Sequence, residues 1–350
     1  MNTQDELETQ SHTNTHSHTW HTSNNIIIIN SIDRDWYNYP NETPYNFLVK
    51  LGGTSKDKFS IVSHNYKNIV AFSIDKMILP NRICMNSSNA NVSPRLNDNS
   101  YLAVIAKGIN YSSYGTNRTL NETIGIYTPL IPLPLSLSNV AYLEFKNSST
   151  QLKEYIPTPE PYIAQLDLSI TTPSGVIASN INDTLEIYSI FLDKADLSIP
   201  ISISDTLIIQ TKTYFTANEF IVNDLISISN YEYHNMSYDE SSIFNNWINT
   251  NNTNNNNKSS KQHQHYISSI TKSNSATSIY NQIHIPVPAV MSITTGNIAV
   301  ETWFTDFITK SLSNVATADI SGKLINVNTQ THFIVNIKTV NKTLDMQIQI

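Results

Sequence analysis

Cysteine occurs once in this chain, at Cys84, so no disulfide can close within it and the small disulfide-stapled secreted scaffolds are excluded. Glycine is nearly as scarce, with eight in 350 residues. No Gly-x-Ser-x-Gly, Gly-x-Gly-x-x-Gly or Gly-Lys-Ser/Thr sequence is present, which removes the nucleophile elbow and the phosphate-cradling loops. Positive charge is thin as well. Against 28 Asp and Glu stand 21 Lys and Arg, scattered without a cluster, for a net charge of −7; no basic field invites nucleic acid or an anionic membrane. No apolar run approaches the roughly 20 residues of a spanning helix, so no direct membrane insertion is expected. Residues Met1 to Gln10 are acidic and polar where a signal peptide is basic and then apolar, which points to a protein made inside the cell.

What the chain has is isoleucine and asparagine, each roughly one residue in eight, together with much Ser and Thr. β-branched side chains lose rotamer freedom in a helix and little on a pleated sheet. The composition favours an all-β fold, although AT-rich coding produces the same bias, so periodicity has to decide. At 350 residues a fold buries on the order of 75% of its unfolded surface and needs no metal for stability.

Residues 1–24 hold almost no aliphatic side chains and are expected to form a flexible polar arm. A second polar tract, 245–264, contains the run Asn254 to Asn257 and reads as a disordered Asn-rich insertion. Elsewhere the apolar signal comes in strand-length pieces bounded by Asn, Pro, Ser and Gly. Eight candidate strands are Ile26–Asn30, Tyr45–Leu51, Ile69–Leu79, Tyr101–Lys107, Glu122–Tyr127, Ala141–Phe145, Ala164–Ile170 and Leu185–Phe191. In Gln165 to Ile170 every second residue is apolar, as a sheet with one wet face requires. Eight antiparallel strands suit a jelly-roll β-sandwich over 25–198. A second β-region over 199–350 then holds Thr206–Thr213, Phe220–Ser229, Gln282–Ile285, Phe333–Val340 and Leu344–Ile350, either as a smaller domain or as added strands. Only Thr302–Leu312 has a helical apolar stripe.

Chemistry-bearing groups are few. A thiolate at Cys84 would need a basic partner such as His64 or Arg82; a structural thiol is the expected state. His12, His16, His18 and His21 in the arm, with His263 and His265 in the insertion, could bind Zn or Cu but lack the rigid supporting shell that a site requires. No metal and no cofactor are expected. Asp33, Asp35 and Glu42 could form an acid/base pair, yet charged groups at a strand end more commonly fix a turn by accepting from backbone N–H groups. Trp36, Tyr37, Tyr39 and Tyr45 crowd one stretch, where they serve a glycan platform, a core or a subunit interface. Sequons at Asn41, Asn86, Asn121 and Asn341 arise by chance in a chain so rich in Asn.

The stretch Ile26 to Trp36, with the turn Asn30-Ser31-Ile32-Asp33-Arg34-Asp35-Trp36, resembles the opening of capsid-associated proteins of nucleocytoplasmic large DNA viruses, the giant viruses. There an apolar strand ends in an Asn-Ser-x-Asp-Arg-Asp turn and a Pro-x-x-Phe-x-Val strand follows, here Pro44-Tyr45-Asn46-Phe47-Leu48-Val49. Further similarity lies in Ile78-Leu79-Pro80-Asn81 and in Tyr214-Phe215 with Phe220-Ile221-Val222-Asn223-Asp224, where Asn223 stands in place of the family's glycine. Asn tolerates the left-handed conformation nearly as glycine does. The resemblance covers about residues 26–230 and is strongest over 26–51. It implies a non-enzymatic jelly-roll component of the virion, either a minor capsid protein bridging or cementing the main capsomers or a penton. Its partners would be the major capsid protein and other capsid proteins in an oligomeric shell, with the protein made in the host cytoplasm and located in the virion. The turn residues Asn30, Ser31, Asp33, Arg34, Asp35 and Trp36 would then be structural. A glycan- or receptor-binding jelly roll on the virion surface is the alternative, and a β-sandwich hydrolase, which needs convergent acidic residues, comes third.

Overall fold

A computed structural model describes residues 18–51, 60–62, 66–80, 96, 99–109, 120–130, 142–148, 153–179, 183–193, 206–217, 219–232, 245, 247–249, 264–272, 280–286, 290–293, 296–299 and 322–344. The described residues are almost all strand or turn, with no α-helix longer than a single turn. The chain is all-β, built as two curled antiparallel sheets.

The strands of the first sheet are β1 (His18–Asn30), β2 (Asn46–Leu51), β3 (Ser60–Val62), β4 (Ile69–Pro80), β5 (Leu102–Lys107), β6 (Thr123–Pro129), β7 (Tyr142–Asn147), β8 (Lys153–Glu154) and β9 (Gln165–Thr171). To these the chain adds its last described strand. The second unit contains β10 (Thr184–Asp193), β11 (Thr206–Phe215), β12 (Leu225–Ser229), β13 (His265–Tyr266), β14 (Ser269–Thr271), β15 (Tyr280–Pro286), the hairpin β16 (Val290–Ile293) and β17 (Gly296–Ala299), and β18 (Lys323–Asn326); β19 (His332–Leu344) then returns to the first.

Across the first sheet the order is β1-β19-β4-β7-β6-β5-β9-β2-β3, with β8 on β4, and every pair but β2–β3 is antiparallel. The sheet curls so that its two ends share one core. The Phe47 ring on β2 lies 6.0 Å from the Phe333 ring on β19, although five strands lie between them along the ladder. Alternation drives this packing: Phe47, Val49 and Leu51 of β2, Leu166, Leu168 and Ile170 of β9, and Phe333, Val335 and Ile337 of β19 all point inward and are buried. Fully burying each such side chain contributes roughly 1.5–3 kcal/mol. Gly125 on β6 is required by close approach, since a Cβ there would sit 2.9 Å from the Tyr127 ring. That ring is buried, and its hydroxyl donates to the Ile74 carbonyl of β4 at 2.7 Å.

The second sheet runs β13-β12-β18-β10-β11-β15-β14. Its terminal strands β13 and β14 are separated only by Ile267 and Ser268, so the ladder closes on itself around a second core of Leu185, Ile187, Leu207, Ile209, Phe220, Ile226, Ile283 and Leu324 with their neighbours.

All eight strands expected in the first two-thirds are present, but four expectations about organisation change. The arm was expected to reach residue 24, whereas β1 begins at His18 and pairs with β19 without a slip from His18↔Leu344 to Asn30↔His332. Polarity keeps His21 to Asn24 out of a core, but an edge strand needs only backbone partners, and Ser23 adds a 2.9 Å hydroxyl contact to Thr339. Leu185–Phe191, expected as the eighth strand of the first sheet, lies in β10 and pairs with β18 and β11. The unit boundary therefore falls before Thr184 and not near 198. The place of that eighth strand is taken by β19, expected in the second region, so the first unit is discontinuous in sequence. Finally the tract at 245–264 starts later than expected, because Ile248 is buried in the second core and His265 lies on β13.

Two smaller differences follow local turns. Phe220–Ser229 is not one strand: Glu219 and Phe220 donate to the Thr216 carbonyl, and the strand starts at Leu225. Asn223 has φ 71°, a left-handed geometry that Asn tolerates nearly as glycine does. Thr302–Leu312, Cys84, His64 and Arg82 lie outside the described residues, as do His12, His16 and His263.

Candidate functional site

The expected turn after β1 forms, though not as extended chain. Asn30 caps a short 3-10 turn (Ser31–Asp33), its side chain accepting from Ile32 N–H at 3.1 Å, and the Asp33 carboxylate accepts from the Asn30 N–H in return, a reciprocal capping arrangement. Asp33 and Asp35 thus do not share the face of a strand. Arg34, between them, turns into the interior and is 2% exposed.

There the Arg34 guanidinium meets three acceptors. Nη2 donates to Asp183 Oδ1 at 2.6 Å, and Nη1 donates to the Ser31 carbonyl at 2.7 Å and to Gln330 Oε1 at 2.8 Å. Both side chains of the ion pair are fully buried. Gln330 completes the ring: its Nε2 donates to Asp183 Oδ2 at 2.6 Å and to the Asn326 carbonyl at 2.6 Å, while its Oε1 also accepts from Ser31 Oγ at 2.7 Å. Ser31 Oγ accepts from Thr331 N–H at 2.9 Å. Removing an ion pair from water costs several kcal/mol per ion, which these hydrogen bonds offset, although the buried Arg34 Nε finds no partner among the described residues.

The position of this network is as informative as its chemistry. The chain leaves the first unit at Asp183, entering β10, and re-enters it through Asn326 to Thr331, between β18 and β19. Arg34 grips both crossings at once. A second tier extends into the closed barrel: Asn326 Nδ2 donates to Asp224 Oδ2 and to the Glu219 carbonyl, each at 2.7 Å, and Asn328 Oδ1 accepts from Leu225 N–H at 2.8 Å. On the outside Lys323 of β18 donates to the Tyr37 carbonyl at 2.6 Å and sits 4.8 Å from the centre of its ring. The arrangement fixes the two units together and offers no open cleft at the ion pair.

Of the residues singled out in the sequence, Asn30, Ser31, Asp33, Arg34 and Asp35 all serve this turn. Asp35 accepts from Asn38 through both its backbone N–H (3.2 Å) and its side chain (2.8 Å). Glu42 accepts from Leu48 N–H at 3.4 Å; partial burial raises its carboxyl above the usual range, and that N–H pulls it back. Each of the three carboxylates thus holds a backbone group. Trp36 and Tyr45 are buried, and of the four clustered aromatics only Tyr39 is largely exposed. His265 is buried too, donating from Nε2 to the Ile248 carbonyl at 3.0 Å and meeting the Trp247 ring edge-on. Among the described residues no group of three His, Cys, Asp or Glu side chains converges as a metal site would need.

Asp183, Asn326 and Gln330 escaped the sequence reading. They stand in polar stretches between apolar strands, and such stretches are ordinarily solvated loops. The only signal was the motif arginine itself, a charge in a turn whose partner had to lie elsewhere.

A second feature faces outward. β1 is the edge of the first sheet, and its four isoleucines divide: Ile27 and Ile29 enter the core, while Ile26 and Ile28 are 70% and 67% exposed. Beside them on the same face lie Ile334 of β19, opposite Ile28, and Ile78 of β4, opposite His332, both half-buried. The Lys76–Glu144 ion pair borders the patch.

No protein-family model matches this chain, and no characterised protein matches its sequence.

Proposed function

We propose that the first unit is a jelly roll and that the protein is a structural component of a viral capsid, a minor protein that bridges or cements the major capsomers or occupies the vertices. The observation that carries this reading is strand order. Counting the eight main strands of the first unit along the chain as β1, β2, β4, β5, β6, β7, β9 and β19, their order across the sheet is 1-8-3-6-5-4-7-2. That is the connectivity of a jelly roll, whose two four-stranded halves are 1-8-3-6 and 5-4-7-2, and the Phe47–Phe333 contact sets one half against the other. The chain from β10 to β18 is an insertion between the seventh and eighth strands.

Jelly rolls recur in capsid and in lectin domains, and fold alone does not choose between them. The capsid reading is supported by the resemblance of residues 26–51, whose polar members here hold backbone and unit junction together and leave no group aimed at a ligand. The glycan-binding alternative, which needs Trp36 and Tyr37 open to a ligand, has less support, because Trp36 is buried and Tyr37 half-buried. In the capsid reading the major capsid protein and its neighbours are the partners. Quantitative mass spectrometry of purified particles tests it. A reproducible ratio to the major capsid protein well below one, resistant to a salt wash, is the expected result; absence from particles overturns the reading.

A further inference from the structure

We infer that the free edge of β1 is a self-association site, at which a second copy of this chain pairs antiparallel about a two-fold axis through Ile27. The inference goes beyond the capsid reading and does not depend on it.

The backbone argument comes first. Ser31 N–H donates to the Thr331 carbonyl at 2.9 Å, and the β1–β19 register continues from that pair without a slip, residue numbers on the two strands always summing to 362 (Ile29↔Phe333, Ile27↔Val335). In an antiparallel ladder hydrogen-bonded pairs alternate with non-bonded ones. The odd positions of β1 therefore turn their N–H and C=O groups toward β19, and the even positions, Asn24, Ile26, Ile28 and Asn30, turn theirs outward. Among the described residues no strand pairs with that outer edge; at its end the Asn30 N–H is held by the Asp33 carboxylate, which leaves Ile26 and Ile28 as the central bonding positions.

Such an edge is normally blunted by Lys, Pro, an inward charge or a bulge. From His18 to Asn30 there is no Lys, Arg, Asp, Glu or Pro, and the β1–β19 register has no bulge. An identical strand consequently meets no like charge. It also meets the right side chains. For two copies continuing one sheet, core-facing residues must oppose core-facing residues, and even positions must bond even positions. A two-fold axis at Ile27 satisfies both conditions. It sets Ile26 of each copy opposite Ile28 of the other and Asn24 opposite Asn30, so all four exposed isoleucines form one apolar cluster on the outer face. Shifting the axis to Ile26 or Ile28 leaves no Ile26–Ile28 pair, so Ile27 is the preferred centre. Because the contact is isologous it closes at a dimer and does not propagate.

Sedimentation velocity on the full-length chain over roughly 1–100 µM, the range expected of a small strand-to-strand contact, tests the inference. Wild type should show a concentration-dependent dimer. I26K/I28K and I26E/I28E, both changed only at solvent-facing positions, should each weaken it at least ten-fold, and an equimolar mixture of the two should restore it, a result that misfolded variants cannot give. Ile28→Pro, which removes an outward N–H and leaves the β19 ladder intact, should act like the lysine variant. A wild type that stays monomeric at the highest concentration, or a dimer that survives all three variants, overturns the site. Particle composition has no bearing on either result.

Discussion

Removing one partner of the Arg34–Asp183 pair is expected to be among the most damaging single changes available. In Asp183→Ala the guanidinium keeps the Ser31 carbonyl and Gln330 Oε1 but loses the carboxylate bonded to it, in a site where both side chains are fully buried. Breaking a buried pair in this way costs about 3–5 kcal/mol. Gln330 Nε2 loses one of its two acceptors at the same time, a further penalty of about 1 kcal/mol. Set against a typical total of about 5–15 kcal/mol for a folded protein, the loss is a large share. Arg34→Met should be similarly costly, because it leaves the Asp183 carboxylate buried with only Gln330. The double variant R34M/D183L places apolar atoms on both sides and should be less destabilised than the sum of the singles, by about 2 kcal/mol or more of coupling. Urea unfolding gives each free energy, and hydrogen exchange read by mass spectrometry resolves the barrel strands from those of the first sheet. Because Arg34 grips both crossings, exchange should rise in both units together. A single-variant loss under about 1 kcal/mol, additive singles, or exchange confined to one unit would each refute the reasoning.

Three further outcomes follow. Ile29→Ala, at a fully buried position, should cost about 2–5 kcal/mol, while its neighbour Ile28→Ala should stay within about 0.5 kcal/mol; equal losses by urea unfolding would mean that the face assignment of β1 is wrong. Burial lowers the pKa of His332, so the folded state disfavours its proton. Its stability contribution is therefore intact above the unfolded value near 6.5 and is lost as pH falls below it; His332→Gln should flatten the decline in urea midpoint between pH 7.5 and 5.5, and an unchanged slope counts against the assignment. Deleting residues 1–17 spares β1, whereas deleting 1–24 removes its first seven paired positions. Only the longer deletion should lower the melting temperature, and indistinguishable melting curves would dismiss the role of His18 to Asn24 as strand.

How much was legible can be judged residue by residue. Ile27 and Ile29 alternate with Ile26 and Ile28, and the same period of two runs through Gln165 to Ile170, so strand existence was readable wherever one face meets a core. Asn223 was readable as a left-handed turn position only through the resemblance, in which it stands at a glycine's place, a place that Asn tolerates. The turn from Asn30 to Trp36 was readable as a turn, since short polar and charged side chains bond nearby backbone groups. Its partner was not, since nothing local in Asn182-Asp183-Thr184 distinguishes a carboxylate that will be buried from one that will be solvated.

By itself, then, the sequence determined local character: strands in place of helices, their core-facing residues, and the turns between them, because periodicity and backbone preference act over a few residues. Which sheet each strand joins was decided only in three dimensions. Leu185 to Phe191 fits either unit by pattern and joins the second because β18 and β11 pair with it; Phe333 to Val340 fits either and joins the first because β1 and β4 flank it. The longest of those pairings links residues more than 300 positions apart, as between Ile28 and Ile334. No local pattern encodes such a choice, which rests on how completely the whole set of strands buries its apolar faces and satisfies one buried arginine.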